Sequence, residues 1–142
     1  MTATQPLYMP DFMTGILAAL AVRHVPVLSL RRSKLDQAFE CLNQDIKQEA
    51  DKAGLNLKFR IRLHPIHRDS TLLQQSLYEA AQRDLVSLDN PEFQKVRLKI
   101  GPDEAQTYLT GLPGKPDMYH RLAARLMAYY RDEDKETESE AQ

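Results

Sequence analysis

The longest regular pattern in the chain is helical. Leu35, Phe39, Leu42, Ile46, Ala50 and Ala53 recur at steps of four, three, four, four and three, the spacing that puts apolar side chains on one face of an α-helix. Ser33 suits its N-cap, and Gly54 stands where a left-handed residue would end it. At Leu55 the period drops to two. Leu55, Leu57, Phe59, Ile61 and Leu63 alternate with Asn56, Lys58, Arg60, Arg62 and His64. This predicts a strand over 55–64 with one apolar and one polar face. Pro65 ends it, because proline cannot donate to a sheet ladder.

The flanking segments are shorter. Pro10-Asp11 predicts the start of a helix with Asp11 as N-cap and Phe12, Ile16, Ala19 and Leu20 on one face. That helix is apolar nearly all round, which implies burial on more than one side and predicts a seam with a partner subunit or a second copy. Pro26 keeps 24–30 extended or turning. Asp69 or Ser70 caps a third helix carrying Leu73, Leu77, Ala80 and Ala81 inward. Leu85–Leu88 and Phe93–Ile100 predict a hairpin about the turn Asp89-Asn90-Pro91, with a bulge near Gln94-Lys95 where the alternation skips. Gly101-Pro102 opens a helix with Ala105, Tyr108 and Leu109 on its face. A last helix over 117–131 turns Leu122, Leu126 and Tyr129 inward. The predicted fold class is α+β, predominantly helical with a small antiparallel sheet of about three strands, in one domain over 1–131.

The order helix, strand, helix, hairpin, helix resembles a winged-helix domain over residues 33–111. Leu73-(x)3-Leu77-(x)2-Ala80-(x)4-Leu85-Val86, the turn Asp89-Asn90-Pro91 and the strand Phe93 to Ile100 carry the resemblance. It implies a wing at the hairpin turn and a DNA-reading role for the helix 70–83. With 55–64 as first strand, one helix precedes the hairpin where winged helices have two.

Composition narrows the chemistry. The single cysteine, Cys41, excludes an intramolecular disulfide, a Cys-based zinc site and an iron–sulfur cluster. The five glycines are dispersed and form no phosphate loop or dinucleotide fingerprint. The longest apolar stretch, Phe12 to Val22, spans roughly 16 Å as a helix, about half a bilayer core. No Lys or Arg precedes Arg23, so a secretory signal lacks its basic start. The expectation is a cytoplasmic chain that crosses no membrane and needs no cofactor. The net charge of −1 hides an asymmetry: residues 23–68 hold ten Lys/Arg against five Asp/Glu, and residues 132–142 hold six acids against one lysine. With nothing apolar over 132–140, this end is expected to be a disordered acidic tail.

Three candidate sites follow. Lys58, Arg60 and Arg62, with Arg68 nearby, form a nucleic-acid-binding face, since alternate strand side chains lie about 6.6–6.8 Å apart, close to the spacing of consecutive phosphates. Phe12, Ile16, Met118, Arg121, Arg125 and Tyr130 form a partner-binding face, by the enrichment of Met, Tyr and Arg at interfaces. His64, His67 and Asp69 lie within six residues and offer ligands to a divalent ion, although no metal-binding spacing motif accompanies them. Ser29, Ser33, Ser70, Ser76, Ser87 and Cys41 sit in no nucleophile motif. The leading expectation is a non-enzymatic binding module, a small regulator or subunit of a larger assembly that contacts nucleic-acid backbone. The alternatives are a protein-interaction subunit docking on an acidic partner, and a small metal-dependent enzyme using His64, His67 and Asp69.

Overall fold

A helix without a polar face has to be enclosed, and helix α1 (Met9–Val22) is. In the computed structural model, which describes residues 5–25, 27–29, 34–63, 65, 70–88 and 95–141, every α1 residue from Phe12 to Ala21 is buried. The enclosing surface is the chain's own: α3 (Thr71–Gln82), α4 (Pro102–Thr110) and α5 (Pro116–Ala141) all pack on α1. The apolar surplus that predicts a partner seam is therefore satisfied within the fold. Asp11 lies in the first turn of α1, where its charge suits the helix dipole, and Tyr8 takes the N-cap position instead.

One contact in this core has no slack. A Cβ on Gly15 would lie 2.3 Å from the ring of Tyr119, which is fully buried. Glycine here lets the ring press against the α1 backbone. The Tyr119 hydroxyl donates to the Pro113 carbonyl at 2.5 Å. Burial, assisted by the charge of Asp11, pushes the phenol well above its ordinary range.

Helix α2 (Lys34–Ala53) is the amphipathic helix predicted by the period, ended by Gly54 at φ +72°. It runs antiparallel to α5, and the seam between them is polar at its rim. Arg121 donates through Nε and Nη2 to the Glu49 carboxylate at 2.6 and 3.1 Å. Arg125 pairs with Asp45 at 3.4 Å, and the Tyr129 hydroxyl donates to Asp45 at 2.8 Å. The Lys34 ammonium lies 4.1 Å from the centre of the Tyr130 ring, a cation–π distance. The hydrogen bonds from Arg121 hold the Glu49 carboxyl below its ordinary range, although burial opposes them. Helix α5 does not stop at Arg131: its backbone continues through the acidic segment to Ala141.

Two small sheets complete the architecture. Strands β2 (Val27–Ser29), β4 (Val86–Ser87) and β5 (Lys95–Leu98) form an antiparallel sheet in the order β2-β5-β4. Its first strand precedes α2, so two helices, α2 and α3, separate it from the β4–β5 hairpin. Strands β1 (Gln5–Leu7) and β3 (Leu55–Leu57) pair in parallel, in register from Gln5↔Leu55 to Leu7↔Leu57. The predicted ten-residue strand is thus three residues long, and it belongs to this second sheet. The physical reason is its partner: β1 stops at Leu7 because α1 begins two residues later, and the last bond of the ladder runs from the Lys58 N–H to the Leu7 carbonyl at 3.0 Å. The hairpin turn and Gln94, where a bulge is expected, lie outside the described residues. Among those described, no helix is long and apolar enough to cross a membrane.

Two outcomes test this packing. Gly15→Ala gains about 1 kcal/mol of helix propensity but forces a methyl into a buried ring, a strain of about 1–3 kcal/mol or more. The clash wins, and thermal melting shows a lower Tm. Glu49→Gln lowers Tm at pH 7. Because the folded-state pKa of Glu49 lies below the unfolded one, its contribution is present above the ordinary carboxylate pKa and disappears as pH falls through the folded value. The Tm gap between wild type and Glu49→Gln therefore narrows below about pH 4.

Candidate nucleic-acid interface

The connection from α2 to α3 is held by one stripe of α2. Asp36, Phe39 and Asn43, at steps of three and four, share a helix face. Phe39 meets Phe12 edge-on at 6.4 Å, and Phe12 stacks at a tilt on Phe59 at 5.0 Å. Asn43 clamps the main chain of Ile61 from both sides: its amide donates to the Ile61 carbonyl at 2.6 Å, and its Oδ1 accepts from the Ile61 N–H at 3.1 Å. The buried Asp36 carboxylate accepts from the Ser70 N–H at 2.7 Å. The Ser70 hydroxyl in turn accepts from the Leu73 N–H at 3.1 Å, so of the two caps the sequence offers for α3, Asp69 or Ser70, Ser70 takes the position.

These anchors preserve the alternation beyond the strand. Leu55 and Ile61 are buried, and Leu57, Phe59 and Leu63 are half-buried. Asn56, Lys58, Arg60 and Arg62 are exposed. Side-chain burial against α2 and the Asn43 clamp replace the ladder that β1 no longer supplies. The ion pairs between described residues are Lys99–Asp84, Arg121–Glu49 and Arg125–Asp45. None involves Lys58, Arg60 or Arg62, so the cation row stands unneutralised by these carboxylates. Beside it runs a groove of about 880 Å³ between α2 and residues 57–63. Arg60, Arg62 and Lys47 supply its positive charges and Glu40 its negative one, with the exposed Cys41 in its wall.

Arg68, the fourth member of the expected basic face, lies outside the described residues, as do His64, His67 and Asp69. Among the described residues no three His, Cys, Asp or Glu side chains converge in a way that would hold a metal ion. The expected partner face is taken apart by the fold. Phe12, Ile16 and Met118 are core residues, exposed by 2% or less. Arg121, Arg125 and Tyr130 work on the α2–α5 seam, where only the two arginines keep more than half of their side-chain surface open. Of the serines, Ser70 is a helix cap and Ser76 donates to the Leu72 carbonyl at 2.8 Å.

Three features of the site escape sequence reasoning. The Asn43 clamp has no local signal, because an asparagine on a helix face shows nothing of a partner eighteen residues away. Tyr8, 52% exposed, borders the row only through the β1–β3 pairing. The third has a local signal that was passed over: Lys95, Arg97 and Lys99 alternate with Val96, Leu98 and Ile100 and turn outward along and just beyond β5. Asp89 and Glu92 in the same hairpin dilute that signal, and Lys99 is paired with Asp84 at 2.7 Å.

No protein-family model, curated protein or solved structure matches this chain.

Asn43→Ala removes both bonds to Ile61, at about 0.5–1.5 kcal/mol each. The expected outcome is a folded protein whose 58–63 segment opens more often. Trypsin then cuts faster after Arg60 and Arg62, and the Ile61 amide exchanges its hydrogen faster. Unchanged cleavage and exchange would show that packing alone holds the segment.

Proposed function

We propose that the protein is a non-enzymatic binding module that holds a nucleic-acid backbone on Lys58, Arg60 and Arg62, acting as a small cytoplasmic regulator or as a subunit of a larger assembly. The observation that carries this reading is the row itself: three exposed cations at period two, on a main chain fixed to α2, with no ion pair among the described carboxylates. Fixing the main chain reduces the ordering entropy lost when an anion binds. Phosphates at matching spacing add attraction that falls with salt.

A winged-helix-like body is part of the proposal. Its support is the order α1, β2, α2, α3, β4, β5, in which two helices precede the hairpin once β2 is taken as the first strand. The outward Arg97 on β5 adds positive surface to that hairpin.

Fluorescence anisotropy with short labelled DNA and RNA tests the reading. Arg60→Ala/Arg62→Ala should weaken binding at low salt and flatten the dependence of log K on log salt by roughly one unit per cation removed. Affinity and slope equal to wild type would remove the reading. Displacement of wild-type-bound oligonucleotide by polyglutamate at lower concentration than by unlabelled oligonucleotide would favour an acidic protein partner instead.

A further inference from the structure

Resting on that reading, we infer that the nucleic acid is single-stranded, with a base stacked on the Tyr8 ring while its backbone follows Lys58, Arg60 and Arg62. The β1–β3 register sets the place of Tyr8. Leu7 pairs with Leu57, and Tyr8 continues the extended conformation at φ −97° and ψ 158°. Tyr8 therefore stands across from Lys58 on the outward face, about 4.8 Å away between neighbouring strands. Alternation agrees: Leu7 is fully buried, whereas Tyr8 is 52% exposed. The position is fixed, because the Leu7 carbonyl accepts from the Lys58 N–H and the Tyr8 carbonyl accepts from the Phe12 N–H, both at 3.0 Å. An exposed aromatic ring on a fixed main chain thus stands at the head of a row of cations that none of the described carboxylates pairs.

That combination discriminates between strands and duplexes. In a duplex the base faces are buried against one another, so phosphates can reach the cations but no base can reach the ring. In a single strand every base has a free face, and stacking on an aromatic side chain supplies affinity without regard to sequence. The groove beside the row acts in the same direction. Its half-buried Phe59 and Leu63 lie next to Arg60 and Arg62, and its volume is in the range that encloses a small-molecule-sized group. A base turned in from a flexible strand can enter it, and the convex cylinder of a duplex cannot.

The experiment compares a labelled single-stranded oligonucleotide with a duplex of the same sequence, by anisotropy at one salt concentration. The wild type should bind the single strand at least fivefold more tightly, the lower end of a base–aromatic stack. Tyr8→Ala should lose that preference and leave duplex affinity within twofold, and Tyr8→Phe should keep it. Cys41, the only cysteine, gives a local readout: a saturating single strand should slow its alkylation by iodoacetamide, and a duplex should slow it less. Equal or tighter binding of the duplex, or a Tyr8→Ala variant that keeps the preference, overturns the inference. If that duplex binding still depends on Arg60 and Arg62, the proposed function survives alone. If the wild type binds neither oligonucleotide, both fail.

Discussion

The exposed cation row depends on one face of one helix. Asp36, Phe39 and Asn43 follow each other along α2, and between them they fix the start of α3, the aromatic cluster under Phe59 and the main chain of Ile61. Each uses a different interaction: a buried carboxylate on a backbone N–H, an aromatic contact, and a side-chain amide acting as a strand edge. Their common effect is to keep the alternation of buried and exposed side chains going after the sheet has ended. Without that constraint residues 58–63 would be an ordinary loop, and three cations on a loop would lose conformational entropy whenever they bound a ligand.

The same helix explains why the row keeps its charge. Helix α2 is rich in carboxylates, yet the fold engages most of those near a cation elsewhere. Glu49 and Asp45 face α5, where Arg121, Arg125 and Tyr129 take them. Asp36 holds Ser70. What remains beside the row is Glu40 in the groove wall, set against Arg60, Arg62 and Lys47. The division is geometric: opposite faces of one helix serve opposite electrostatic purposes, with the structural pairs on the α5 side and positive surface on the other. Exposed pairs such as Lys99–Asp84 contribute little to stability, whereas an unpaired row costs little while it stays in water.

Much of this was legible from local pattern. The 3.6-residue period placed α2, and Gly54 marked its end. The cap of α3 was readable to within two residues, Asp69 or Ser70, and the period-two run at Leu55 identified which side chains point outward. The differences have a common origin. The run predicts a long strand because alternation reports two faces, not whether a partner strand exists. The apolar α1 predicts a partner seam because its pattern reports burial without saying by what, and α3, α4 and α5 supply that burial. In both cases the missing knowledge was which other part of the chain lies opposite.

The sequence by itself determined the identity and phase of the more regular elements: where α2 and α3 run, and that Lys58, Arg60 and Arg62 share a polar face. Those are properties of neighbouring residues, set by side-chain period and backbone preference. Only the tertiary structure decided that β1 pairs with β3, that Asn43 replaces a strand edge, that α3, α4 and α5 enclose α1, and that Tyr8 borders the cation row. Each of these joins segments distant along the chain, and hydrophobic period carries no address for its partner. The choice is made by the packing of all faces at once, as when the start of α1 ends β1 at Leu7.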